Sequence, residues 1–310
     1  MTFTFTTNNR PARARRAELA VPGSNERMLQ RASESNADQV FLDLEDAVAP
    51  NMKAKARSMI ADALMSLDWG NKTRCVRIND LDSPYAYEDI TEIIRLAGKN
   101  LDAIMLPKVI APEQIQFLDR LITMLERKHG LVENAIGIEI LIEEIEGLIN
   151  VEALCKASPR LEAAILGVGD YSAAQGITPK AVTGSSGYPG DIWHYARFKL
   201  VAAARAANIQ AIDGPFADIR NLELYRDECR TGAILGFDGK WALHPNQIDI
   251  AIEEFSPSQQ EVEQARKISA AYKEAQSKGV GAVEVDGTMV DVASVRLVSN
   301  VLKKAELFGM

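Results

Sequence analysis

The chain has 310 residues, enough for one large α/β domain or two ordinary ones. Hydrophobic residues make up 47% and charged residues 25%, the balance of a soluble globular protein. The net charge of −8 argues against broad, sequence-independent binding to nucleic acid, which needs a positive surface, and leaves room for a local basic patch facing an anionic ligand. Cys75, Cys155 and Cys229 lie far apart with no CxxC pair, which argues against a thiolate metal site and fits free thiols in a reducing compartment. The opening stretch MTFTFTTNNRPARARR lacks the apolar core of a secretory signal, and no apolar run approaches the ~20 residues of a membrane span. The expectation is a cytoplasmic protein with neither a membrane nor a nucleic-acid partner.

In chain order, Arg10, Arg13, Arg15 and Arg16 come first, an unusual run in an acidic protein. A strand is predicted over 18–21 and a helix over 25–35, which carries Arg31. The stretch FLDLEDAVAP follows, an apolar strand over 39–44 that runs straight into Asp43, Glu45 and Asp46. Further strands are expected at 73–78, 102–106, 135–142, 163–166, 210–212 and 240–243. Amphipathic helices are expected at 52–66, 84–97, 112–128, 146–157, 193–207 and 221–235, with a short one after His244-Pro245. Eight strands alternating with helices over ~250 residues indicate a (β/α)8 TIM barrel. A doubly wound open sheet is the runner-up, but VPGSNERM after the first strand is not the glycine-rich fingerprint such a sheet wants. The barrel is expected over 1–255 and a C-terminal extension over 256–310: a polar helix to about Lys278, the glycine-punctuated GVGAVEVDGTMVD, and a last helix from about Val292. That arm is too short to fold alone and should pack on its own barrel or on a neighbouring subunit.

Chemistry in such a barrel sits at the C-terminal ends of the strands. Seven of the eight predicted ends carry a charged or ionisable group: Asp43, Glu45 and Asp46; Arg77; Lys108; Glu143; Asp170; Asp213; and His244. Clustered carboxylates repel one another unless a cation or proton intervenes. Oxygen-only ligands suit a hard cation, Mg2+ above all, and Glu143 and Asp170 have the best strand-end context to hold it. Two protein carboxylates leave coordination positions open for substrate, while Glu45 and Asp46 would hold water around the ion. Asp170 also reads as a helix N-cap, Lys108 as an internal ion-pair partner and His244 as a hydrogen-bonded loop residue. Arg77 lies inside an apolar strand, where a charge must be paired; it either pairs with Asp43 or Glu45 for structure or stabilises an anionic substrate oxygen, and the second is preferred. Arg15 and Arg16, with Arg31, would meet the phosphates of a ligand such as a coenzyme A thioester at the barrel rim.

The stretches RRAELAVPGSN, VFLDLEDAVAPNMKAKAR, LDWGNK, VRINDLDSPY, IMLPKV, IEILIEEIEGLINVEAL, SPRLEAAILGVGDYSAA, IDGPFAD, GFDGKWALHPNQI and VDGTMVDVASVR together resemble the citrate lyase β-subunit-like aldolase/lyase superfamily, and within it the malyl-CoA lyases. They run in order from about residue 15 to residue 296. The resemblance implies a TIM barrel with a C-terminal extension, dependence on Mg2+ (with Mn2+ as a substitute), and trimers or hexamers in which the extension caps a neighbouring subunit. It implies that Glu143 and Asp170 bind the metal, that Arg77 stabilises the reacting oxygens, and that Glu45 and Asp46 support water on the metal. It implies that Asp291 is an acid/base supplied by the neighbouring subunit. Two departures stand out: the segment between Asp170 and Trp193 is compact, and Asn25 stands where some relatives carry a basic residue.

The expected reaction is reversible cleavage of malyl-CoA or β-methylmalyl-CoA to acetyl-CoA or propionyl-CoA and glyoxylate. Citramalyl-CoA or citryl-CoA cleavage would use the same groups with more room for the oxo acid. Two further readings stay open: a malyl-CoA thioesterase, and a citrate lyase subunit serving an acyl-carrier partner.

Overall fold

Eight short runs carrying Val, Ile, Leu and Ala among a few polar residues are buried at nearly every position, as strands covered on both faces are. The computed structural model of the protein describes residues 10–179 and 188–310. Strands β1 (Ala17–Pro22), β2 (Gln39–Asp43), β3 (Thr73–Arg77), β4 (Ala103–Leu106), β5 (Gly137–Ile142), β6 (Leu161–Leu166), β7 (Gln210–Asp213) and β8 (Gly239–Ala242) are parallel and follow one another around a closed barrel, with β8 pairing back to β1. This is the expected (β/α)8 architecture.

The outer wall is built from α1 (Glu26–Ser33), α2 (Lys53–Ser66), α3 (Ala86–Ala97), α4 (Pro112–His129), the short α5 (Ile145–Ile149), α6 (Val151–Leu154) and α7 (Val168–Gln175), α8 (His194–Ala207), α9 (Leu222–Leu235) and α10 (Ile248–Phe255). The helix expected over 146–157 is broken at Asn150. Its side-chain amide donates to the Ile110 carbonyl at 2.9 Å, and its backbone leaves the helical region at φ −92°, ψ 3°.

Side chains alternate across each strand, so the barrel interior has layers. Phe41, Cys75, Ala103, Met105, Leu141, Ala163, Ile165, Ile212 and Trp241 fill the middle. Phe41 and Trp241 lie 4.3 Å apart between ring centroids. Two residues towards the N-terminal pole the interior turns polar. Buried Arg15 donates from Nε to Glu139 at 2.9 Å and to Gln39 at 3.1 Å, and it also pairs with Glu162. Two residues towards the C-terminal pole the same parity delivers Asp43, Arg77 and Glu143 to the mouth.

The chain then leaves the N-terminal pole as the extension: α11 (Gln259–Ser277), a hairpin of β9 (Val283–Val285) and β10 (Thr288–Val290), and α12 (Val292–Leu307). Helix α11 starts at a capping box, Ser258 with Glu261. The C-terminal end of α12 is fastened to the same pole of its own barrel: the Arg16 guanidinium lies 4.1 Å from the Phe308 ring, and Lys304 Nζ lies 3.9 Å from Asp238. Among the described residues, no helix is long and apolar enough to cross a membrane.

Candidate active site

The turn after β2 is acidic and would fly apart without support. Asp43 accepts from the backbone N–H groups of Glu45 and Ala47, at 2.9 and 3.0 Å, so it shapes the turn as well as facing the mouth. Behind the turn, Lys53 of α2 donates to the carbonyls of Leu44 and Glu45 at 2.7 and 2.8 Å and to Asn79 Oδ1 at 2.6 Å. Asn79 in turn donates to the Leu44 carbonyl and to Asp89.

Arg77, one strand over, takes Asp43 in a two-pronged pair, Nε to Oδ1 at 2.7 Å and Nη2 to Oδ2 at 2.8 Å. Its Nη1 lies 2.9 Å from Glu45 Oε2. Burial works against the Arg77 charge, but Asp43 and then Glu45 and Glu143 more than offset it, and its pKa is held above the usual value. Asp43 is affected the other way: burial raises its pKa, Arg77 overrides that, and the carboxyl stays below its usual range. Both readings of Arg77 therefore have a basis. Asp43 fixes the guanidinium, and Phe41 and Trp241 support it from below at 5.8 and 5.6 Å.

Glu143, at the end of β5, is buried, and its Oε1 accepts from the Lys108 backbone N–H at 2.9 Å. Burial, then the charge of Glu45 and also that of Asp170, push its pKa to about 8, despite Arg77. Glu45 is likewise raised, first by burial, although Arg77 and Lys108 oppose it. Its buried Oε2 is held by the ion pair with Arg77 alone, without a well-aligned hydrogen bond. On the mouth side, then, the carboxylates of Asp43, Glu45, Asp46, Glu143 and Asp170 face the cations of Arg77 and Lys108. That excess of negative charge, five carboxylates against two cations, fits a hard divalent cation. Among the described residues, no group of three or more His, Cys, Asp or Glu side chains converges as a metal site. A cation here would rest on a pair of carboxylates, water and substrate oxygens.

Asp170 lies in the first turn of α7, a helix absent from the expected set, and it is exposed. Gly167 makes its approach to Glu143 possible. A Cβ at Gly167 would lie 2.6 Å from both Cβ and Oε2 of Glu143. Gly167→Ala should displace the Glu143 carboxylate and lower turnover on the order of 100-fold, with stability lost by about 1–3 kcal/mol. Wild-type kinetics in that variant would remove Glu143 from the chemistry.

Several expected site residues are elsewhere. Arg15 and Arg16 precede β1 and so lie at the N-terminal pole, opposite the mouth. Arg15 is buried on Glu139 and Glu162, and Arg16 pairs with Asp38 at 2.8 Å and donates to Ser256 at 2.9 Å. Neither can meet a phosphate at the catalytic rim, and the expectation for both is corrected on that ground. Arg31 is exposed in the last turn of α1, on the outer wall. Asp213 has the parity of Ala211, not of inward-facing Ile212, so it points at the helices, where it pairs with Arg197 at 3.0 Å and Lys240 at 2.6 Å. His244 follows β8 and caps the next turn, its Nδ1 accepting from the Asn246 N–H at 3.2 Å, so it takes the hydrogen-bonded loop role. Lys108 and Asp46 do join the cluster, Lys108 at 2.6 Å from Glu45 and 3.8 Å from Asp46. Asp291 does not: it is the N-cap of α12 and accepts from Ala293 and Ser294 N–H at 2.9 and 3.0 Å. It stands a whole helix, ~24 Å at 1.5 Å per residue, from the end that is fastened to its own barrel.

Comparison with known proteins bears on the same groups. Residues 16–245 match the HpcH/HpaI aldolase/citrate lyase family. The chain is 40% identical over 309 residues to an L-malyl-CoA/beta-methylmalyl-CoA lyase of Cereibacter sphaeroides, covering 96% of this chain and 97% of the relative. It is 36% identical over 300 residues to the mitochondrial citramalyl-CoA lyase of Homo sapiens, covering 94% and 85%. Among solved structures it is similar to protein CitE of Mycobacterium tuberculosis in complex with magnesium, acetoacetate and coenzyme A, with a TM-score of 0.73 and 26% identity over 94% of this chain and 97% of the other.

Proposed function

The chain belongs to the HpcH/HpaI aldolase/citrate lyase family, and from that premise we propose that it is a Mg2+-dependent carbon–carbon lyase that cleaves malyl-CoA, and β-methylmalyl-CoA, to acetyl-CoA or propionyl-CoA plus glyoxylate. The observation that carries this reading is the meeting of buried, under-neutralised Glu143 with Asp170 and Arg77 at one barrel mouth. Glu143 and Asp170 would hold the ion, with water kept around it by Glu45 and Asp46. Bound there, Mg2+ supplies a Lewis acid to the substrate's hydroxyl oxygen.

The chain's own residues account for the rest. As the hydroxyl gives up its proton to water, its oxygen forms the new carbonyl of glyoxylate, the C–C bond breaks, and the bonding electrons pass into the thioester as an enolate. Arg77, held rigid by Asp43, offers its remaining N–H groups to that oxygen. Asp291 of a neighbouring subunit delivers a proton to the enolate carbon, and in condensation it removes one from acetyl-CoA. Its distance from its own barrel's mouth supports a homo-oligomer, a trimer or hexamer, in which each extension closes the next barrel. A cytoplasmic location completes the reading.

Purified protein assayed with malyl-CoA, β-methylmalyl-CoA and citramalyl-CoA side by side tests it. The expected result is glyoxylate release from the first two, abolished by a chelator and restored by Mg2+. Release of free CoA and malate would make the protein a thioesterase, pyruvate from citramalyl-CoA alone would move it to that substrate, and no turnover of any thioester would overturn the proposal.

A further inference from the structure

Lys108 has a backbone conformation that its side chain does not favour. Four non-glycine residues have positive φ among those described: Lys108 at 51°, and Asn134, Asn208 and Asp286. The other three are the residue types that tolerate the left-handed region, and they occupy turns or a helix end. Lys108 has neither excuse. What the conformation achieves is a double contact: the backbone N–H reaches Glu143 Oε1 at 2.9 Å while Nζ reaches Glu45 Oε1 at 2.6 Å. Its side chain is 30% exposed, and a partly solvated ion pair returns less stability than such backbone strain costs. Stability alone does not explain it.

Glu45 is held by a cation on each oxygen, Lys108 on Oε1 and Arg77 on Oε2. Among the described mouth carboxylates, Asp43 is taken by Arg77 and Asp46 lies 3.8 Å from the same Lys108 ammonium, which leaves Glu143, whose Oε1 is fixed by the Lys108 amide, and the exposed Asp170 as the pair without a cation on them. We infer that Lys108 is a positioning residue that keeps the Glu45 carboxylate out of the coordination sphere of the cation, so that the positions needed by substrate oxygens stay open. The groups facing Lys108 are Glu45, Asp46 and Glu143, all acidic, so its ammonium competes with a divalent ion for the same oxygens. This inference rests on the metal-site reading above and adds a prediction of opposite sign to that of a merely structural lysine: removing the ammonium should tighten metal binding while impairing turnover.

The test is calorimetric titration of Mg2+ into the purified chain without substrate, for wild type, Lys108→Met and Lys108→Gly, with steady-state kinetics beside it. Methionine keeps the backbone strain and loses the charge. Glycine loses the charge and relieves the strain, so it carries the test if the methionine variant fails to fold. Both should bind Mg2+ more tightly, by about tenfold from the lost positive charge and the freed carboxylate, with KM for glyoxylate raised in the condensation direction. Mg2+ affinity that is unchanged or weaker in a folded variant would overturn the inference and leave the metal site standing. A wild-type chain that binds no Mg2+ would overturn the metal site and this inference together.

Discussion

Asp291→Asn should lower turnover by about 100- to 10,000-fold, the range for loss of a general acid/base, and leave the fold alone. The second half of that expectation comes from the cap. Asp291 caps α12 through two backbone N–H groups and the Ser294 hydroxyl. Asparagine caps a helix about as well, whereas Asp291→Ala should cost about 1 kcal/mol. The asparagine variant therefore separates chemistry from stability, and its Mg2+ affinity should match wild type. The subunit question has its own test. Chains carrying Asp291→Asn and chains carrying Glu143→Gln, refolded together in equal amounts, should regain about a quarter of the wild-type sites if each mouth is completed by a neighbour. No recovery would mean that barrel and tail serve the same chain. In the single chain Asp291 is half-buried, and the Ser294 N–H and hydroxyl, with the Ala293 N–H, hold its carboxyl below the usual range. That suits a base. Acting as an acid in the cleavage direction requires enclosure by another surface to raise it, and a neighbouring barrel would supply that surface.

The barrel is legible in the sequence because its strands are buried on both faces and punctuated by glycine, proline and polar turns; all eight strands lie within a few residues of expectation, and so do the helices apart from the one broken at Asn150 and the unexpected α7. What stays hidden has identifiable causes. Arg15 and Arg16 are expected at the wrong rim because closeness to a strand says nothing until the strand's direction is applied: residues that precede β1 must lie at its N-terminal pole. Asp213 is expected at the mouth although its spacing from Ile212 turns it to the helices. Polarity and parity alone suffice to correct both. Lys53 and Gly167 are different. Lys53 reaches back from the first turn of α2 to hold two carbonyls of a turn eight and nine residues earlier, a tertiary fact with no periodicity. Gly167 matters only because the Glu143 carboxylate passes within 2.6 Å of where its Cβ would be. The local sequence around Lys108 carries no sign of its left-handed backbone.

Glu143→Gln should lower Mg2+ affinity by about 100-fold or more and take turnover with it, since it removes one of the two anionic ligands proposed for the ion while preserving shape. The same substitution should make the metal-free protein more stable at neutral pH. Glu143 is buried, and burial together with Glu45 and Asp170 lifts its pKa from 4.5 to about 8. The stability tied to its protonated form is fully present below pH 4.5 and is lost as pH rises towards and through about 8, a loss on the order of a few kcal/mol. Glutamine cannot ionise, so its melting temperature should lack that decline, and the gap between variant and wild type should open between about pH 5 and pH 8. Saturating Mg2+ should close or reverse the gap, because the ion binds the ionised form of the folded wild type and stabilises it by mass action. Mg2+ binding to wild type near pH 7 should correspondingly release a proton, measurable as a buffer-dependent heat. Parallel melting curves for the two proteins across that pH range, with equal responses to Mg2+, would mean that Glu143 is neither strained by its charge nor a ligand.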